Sequence, residues 1–403
     1  MKTTISLWLV LFVVFLDWMG IGLVYPIFST MIFHPEHSIL DPTVSESMRG
    51  WYLGILLAVM SISQFFSSPI IGSFSDQKGR RPLFLISLAL GIVGYAFCVV
   101  GVLIKSLLVL IASRCFVGIS AGNAAVVSAS IVDLSDESNK AKHFGLYSMA
   151  CGVGFTVGPF LGGFLSKSHF AIPFCIAGVA TFLNLALIYY FFKETHHIRK
   201  NAPIRWDEGV RNLKKAFKVR ELKALFLTVL FFCFGWSFFY EFIPVAWIAN
   251  FRFDATKIGF FYAYGAAVYA LSSGVLIRPI VGRYKHSSVL FYALFCVGLI
   301  LLSLLILPSS FWIWIYLPVV NFLMALVYPT STTLVSDKTS KDAQGEILGI
   351  LQSVQSAAFA ISPLAAGWLL GNGSHMPMLV GGLSMIIGAL ILGGFLKKEI
   401  FVK

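Results

Sequence analysis

The chain has 403 residues, 58% of them hydrophobic and only 12% charged, against about 25% charged in an average soluble domain. So few charges could not cover a globular surface in water, which excludes a soluble protein and leaves lipid as the surroundings. The net charge of +12 would suit nucleic acid, but the basic residues sit in short loops between apolar runs, as in cytoplasmic loops of membrane proteins, so no nucleic-acid partner is expected.

A spanning helix needs roughly 20 mostly apolar residues. Such runs predict helices at 6–33, 51–74, 83–104, 107–132, 142–166, 171–192, 222–249, 257–280, 288–307, 311–335, 344–370 and 376–396. Backbone polar groups in lipid must be satisfied within each segment, so the runs read as helices, and their length does not fit the short alternating strands of a barrel. The expected fold class is an all-α membrane protein with twelve transmembrane helices. Lys2 opens the first run and no small-residue cleavage site follows, so that run is expected to remain as a membrane helix. With the N-terminus inside, the outer loops hold only Arg49, Lys105, Lys167, Arg252 and Lys257; apart from Arg114, the other bases lie inside. That asymmetry places both termini in the cytoplasm.

Span one carries Asp17, Trp18, Met19, Gly20, Gly22, Tyr25 and Pro26. Asp17 lies about 10 residues into the run, roughly 15 Å deep, where desolvation penalises a carboxylate's charged form. Such a group can load and release a proton as its exposure alternates. The loop after span two reads Gly72, Ser75, Asp76, Gln77, Lys78, Gly79, Arg80, Arg81, Pro82. Its glycines permit a tight turn, and Asp76 can cap a helix or pair with a base. Span four holds Arg114, Gly118, Ala121 and Gly122, and an arginine that deep must find partners or a cavity. Span five holds Gly154, Gly158, Pro159, Gly162 and Gly163, small residues that allow close helix approach and a proline that permits a kink. The connection 193–220 is basic, and 206–217 reads as an amphipathic surface helix. In span seven Glu241 is a second deep acid, and Pro244 is expected to break the helix just after it.

Gly145, Pro159, Gly163 and Asp133 recur 204 residues on as Gly349, Pro363, Gly367 and Asp337, which argues for an internal repeat. The expected organisation is a six-helix bundle at 1–192, a cytoplasmic linker at 193–220 and a second six-helix bundle at 221–403. Candidates to line a substrate cavity are Tyr25, Gln64, Asn123, Asn184, Trp236, Tyr240, Tyr262, Tyr269, Asn321, Gln352 and Gln355. Aromatic rings with a few amides suit an amphipathic or planar organic molecule. The six cysteines lie inside apolar runs and the histidines show no ligand spacing, so no metal or other cofactor is expected. No nucleophile, base and orienting group cluster as an enzyme would need, and none is expected.

The loop from Gly72 to Pro82 resembles the signature loop of the major facilitator superfamily, and the stretch around Arg114 resembles a second motif of that group. The stretch from Gly154 to Gly163 is similar to the motif of its drug:proton antiporter branch, and span one resembles that of tetracycline-efflux and multidrug exporters. The resemblance implies two bundles rocking about a central site. It also implies a conformational switch built from Gly72, Asp76, Gly79, Arg80, Arg81 and Asp133, and proton coupling through Asp17, Arg114 and Glu241. The chain departs from tetracycline exporters in having Gly94 where an acid belongs in span three, no acid in span nine, and Gln77 after Asp76. A different small organic cargo is therefore expected: a drug, a metabolite or a siderophore. The expected activity is proton-driven export by a monomer of the bacterial inner membrane, with proton-coupled import of a nutrient or siderophore as the alternative.

Overall fold

Apolar runs of spanning length become helices throughout the computed structural model, which describes residues 2–136, 139–195, 207–218, 222–304, 309–339 and 344–396. The α-helices are α1 (Lys2–Phe33), α2 (Glu46–Lys78), α3 (Arg80–Leu103), α4 (Leu107–Ala121), α5 (Ala124–Asp133), α6 (Lys140–Leu165), α7 (Ala171–Phe191), α8 (Glu208–Lys218), α9 (Lys223–Phe251), α10 (Ala255–Leu271), α11 (Arg278–Arg283), α12 (His286–Ser303), α13 (Ile313–Asp337), α14 (Gln344–Leu369) and α15 (Met376–Phe395). Among the described residues these make twelve segments long and apolar enough to cross a membrane.

Two spans are interrupted. Between α4 and α5 the ladder tightens, with Gly122 N–H donating to Ile119 O and Asn123 N–H to Ser120 O, both three residues back. Between α10 and α11 a π-helical turn covers Ser272–Leu276, and Ile277 N–H reaches Ser272 O. Pro279 follows at the start of α11 and lacks the N–H that would continue the ladder. The expected break at Pro244 does not occur: α9 runs through it to Phe251. Tightly packed neighbouring helices let a proline persist inside a membrane helix, and α9 is buried along most of its length.

The chain forms two compact units. The first comprises Met1–Thr43, Ile55–Glu208 and Phe253–Ala263; the second comprises Val44–Gly54, Gly209–Arg252 and Tyr264–Lys403. Within the first, α1 packs on α6 and α3 packs on both α4 and α7. One apolar core there gathers Val10, Val13 and Val14 of α1, Leu83, Phe84 and Leu88 of α3, Val126, Val127 and Ile131 of α5, and Ile188 of α7. The outer face of α7 exposes Val179, Phe182, Leu183, Tyr190 and Phe191, a row that suits contact with lipid. Within the second unit α9 packs on α14 and α15. Thr228 Oγ1 donates to Gly388 O at 3.2 Å and Ser384 Oγ to Phe231 O at 2.8 Å. Of the expected linker, residues 196–206 and 219–220 lie outside the described residues. The expected surface helix is present as α8, although Trp206 is not among the residues described.

Candidate functional site

Asp17 sits about 16 Å along its span from Ser6. Its Oδ2 accepts a hydrogen bond from Asn123 Nδ2 at 3.0 Å. Asn123 lies at the interruption between α4 and α5. Tyr95 lies within electrostatic reach of both Asp17 and Arg114, and its hydroxyl presses on α1 where a side chain on Gly20 would otherwise be. Arg114 is 2% exposed; its guanidinium stacks 5.4 Å over the Phe28 ring and its Nη2 faces Met60 Sδ. Its Nε and Nη1 have no hydrogen-bond partner among the described residues. A buried cation with unused donors is costly to keep unless something else satisfies it during function.

The turn between α2 and α3 is a second charged cluster. Gly79 has φ of +97°, which an L side chain rarely adopts. Arg80, its side chain 5% exposed, donates from Nη1 to Asp76 Oδ1 at 2.6 Å and from Nε to Asp133 Oδ2 at 3.0 Å. The same Nη1 donates to Ser75 Oγ at 2.5 Å. One planar guanidinium thus ties the end of α2 to the end of α5. Sequence reading missed Glu194, whose carboxylate accepts from the backbone N–H of Arg80 at 2.8 Å and of Arg81 at 3.1 Å. It caps α3, where the first N–H groups lack helical partners and an anion is favoured. A Cβ at Gly79 would also meet that carboxylate, but as the end of a flexible side chain it can move aside, so the positive φ is what calls for glycine. Arg81 Nη2 donates to Tyr189 O, and its guanidinium lies 5.6 Å from the Tyr189 ring. Only the paired Arg next to an acidic end of span six could have hinted at Glu194.

Gly72, at the start of this region, faces Ala125 of α5, where an added Cβ would lie 3.3 Å from the Ala125 Cβ. The repeat partner of Asp133 behaves differently: Asp337 is exposed and meets His286 Nδ1 at 3.6 Å.

The small residues of α6 serve two faces. A Cβ on Gly154, Gly158 or Gly162 would strike the carbonyl oxygen of Phe15, Met19 or Leu23 respectively, so one glycine row presses α6 onto the stretch of α1 that holds Asp17. The Pro159 ring lies against Gly22 of α1, while Pro159 O and Gly163 meet Gly259 of α10, and Thr256 Oγ1 donates to Gly163 O at 3.0 Å. In the second unit Gly367 meets Gly50 and Gly54 of α2. The paired sequence positions Gly163 and Gly367 therefore make the same kind of glycine-to-glycine contact.

Glu241, in the second unit, is 7% exposed, and its Oε2 has no hydrogen-bond partner among the described residues. Ser237, one turn earlier on α9, accepts from Ser362 Oγ at 2.6 Å. Trp236 and Tyr240 stand with ring centroids 5.2 Å apart. In the first unit Tyr25 lies 6.0 Å from Tyr262 and 6.2 Å from Phe155. Gln64 Nε2 donates to Ala121 O at 3.3 Å and Asn321 Nδ2 to Leu317 O at 2.9 Å, so both amides have helical partners. Asn184 is buried with neither amide atom bonded among the described residues, Gln352 is exposed, and Tyr269 and Gln355 are half-buried. Gly94 departs from the tetracycline-exporter pattern for a visible reason. A Cβ there would lie 2.9 Å from Val117 N, so α4 leaves no room for an acid.

Among the described residues, twelve apolar spans with a handful of internal charges define a multi-pass membrane protein. The chain belongs to the Major Facilitator Superfamily, whose profile it matches over residues 7–363. It is 30% identical over 374 residues to the class C tetracycline resistance protein of Escherichia coli, covering 90% of this chain and 89% of that one. It is 27% identical over 391 residues to multidrug resistance protein 1 of Bacillus subtilis (strain 168), covering 96% and 95%. Its backbone superimposes on the xylose transporter XylE of E. coli, in an inward-open conformation, with a TM-score of 0.75 at 14% identity, covering 99% of each chain.

Proposed function

We propose that the chain is a proton-coupled antiporter that exports a small organic molecule by alternating access. One observation carries this reading: Asp17 is held deep in a span, where Asn123 Nδ2 donates a hydrogen bond to it and Tyr95 lies within electrostatic reach of both Asp17 and the buried Arg114. A carboxylate so placed changes its protonation when its access to water changes. Moving one proton through 100 mV releases about 2.3 kcal/mol, enough for roughly a fiftyfold substrate gradient. The relatives named for tetracycline and multidrug resistance support export over import. Arg114 tunes Asp17, Glu241 is a second proton-carrying or substrate-facing acid, and Asp76, Arg80 and Asp133 make and break as the protein changes state. The protein works as a monomer in a bacterial cytoplasmic membrane with both termini inside.

The test is transport in proteoliposomes across a panel of tetracyclines and cationic dyes under an imposed pH gradient. Substrate leaving as protons enter is expected; co-entry would make the protein a symporter. Asp17→Asn is expected to lose the pH-driven gradient, about fiftyfold at 100 mV, while retaining counterflow exchange. Unchanged coupling in that variant defeats the assignment.

A further inference from the structure

The surface helix α8 presents two unlike faces. At 3.6 residues per turn, Asn212, Leu213 and Ala216 share one side. Ala216 is fully buried and Asn212 Nδ2 donates to Ser353 Oγ of α14 at 3.3 Å, so this side is docked on the second unit. The opposite side holds Val210, Arg211, Lys214, Phe217 and Lys218, all exposed and without an acid among them. Solvation accounts for the three bases, but it does not account for Phe217, 48% exposed, or Val210, 38% exposed. Apolar side chains set among cations fit the boundary of an acidic bilayer, where headgroup phosphates meet the bases and the apolar groups enter between acyl chains.

Position agrees with this. Only residues 219–222 separate α8 from the start of α9 at Lys223. Five Cα steps reach at most about 18 Å, so α8 stays close to the membrane end of α9. We propose that α8 is an anionic-lipid contact, in which Arg211, Lys214 and Lys218 bind the phosphates of acidic phospholipids while Val210 and Phe217 enter the headgroup boundary. Its other face is already seated on α14, so the second unit is tied to the lipid charge of that leaflet. The inference rests on α8 lying at a membrane face and is independent of proton coupling or cargo.

The full chain carrying Phe217→Cys, labelled with a polarity-sensitive dye, tests it in vesicles of phosphatidylcholine alone and of phosphatidylcholine mixed with phosphatidylglycerol. Unsubstituted protein, labelled in parallel, sets the background from the native cysteines. With phosphatidylglycerol the emission is expected to shift to the blue and to be quenched by lipid-borne nitroxide, and added salt is expected to reverse both. Adding Arg211→Gln, Lys214→Gln and Lys218→Gln should remove the response. Loss of about fivefold in lipid preference per base predicts roughly a hundredfold shift in the phosphatidylglycerol content needed. The exchange Arg211→Lys, Lys214→Arg, Lys218→Arg should keep the response, since charge rather than shape is required. Emission typical of water in both vesicle types overturns the proposal, as does a response that survives the triple glutamine variant.

Discussion

Arg80 shows how much one side chain can hold together. Its fork reaches Ser75, Asp76 and Asp133 at once, and its backbone N–H is capped by Glu194. A lysine could not reproduce that geometry. Because Asp76 is 45% exposed, solvent screens part of the gain, and Arg80→Lys is expected to cost about 1 kcal/mol, with Arg80→Ala costing more. Thermal unfolding of the purified variants in one detergent checks the order. Glu194 acts through backbone rather than side chains, so Glu194→Gln should leave the Arg80 ion pairs intact but weaken the start of α3 by about 1 kcal/mol. Hydrogen exchange at the amides of Arg80 and Arg81 should quicken in that variant; unchanged exchange would deny Glu194 its capping role.

At the scale of the element, α6 depends on bare backbone. Gly158→Val would push α6 away from Met19 O, and overpacking of this kind costs about 1–3 kcal/mol. Gly145, near the other end of the same helix, has nothing within 4 Å of an added Cβ. Gly145→Ala should therefore be neutral or stabilising by up to about 1 kcal/mol through helix propensity. Unfolding midpoints of the two variants should move in opposite directions, or one only; equal losses would mean the glycine row is not a packing surface. The stretch 272–283 was less legible. Its hydropathy reads as one continuous span, whereas the ladder is interrupted by a π-helical turn at Ser272–Leu276, with Pro279 opening the next helix.

For the whole molecule, the repeat expected from spacing has a counterpart in contact at one pair of positions. Gly163 against Gly259 and Gly367 against Gly54 are equivalent close approaches, so Gly163→Val and Gly367→Val should slow transport alike while Gly349→Ala does not. A strong effect from one alone, measured as turnover in proteoliposomes, would show that the two repeats have diverged in use. They have diverged elsewhere already, since Asp133 meets Arg80 while Asp337 meets His286.

Amino-acid order alone determined that the chain crosses a membrane, how many times, and which few charges lie deep, because a run of apolar residues needs no distant information to be costly in water. It also marked the turn at Gly79 and the glycine row of α6, since both are written in adjacent positions. Only the tertiary structure decided who meets whom: Asn123 with Asp17, Glu194 with the start of α3, Val117 in the space denied to an acid at Gly94. Each of the first two joins residues more than a hundred positions apart in the chain. Which helix faces which is chosen by shape fit and buried hydrogen bonding across the bundle, and neither is encoded within a single span.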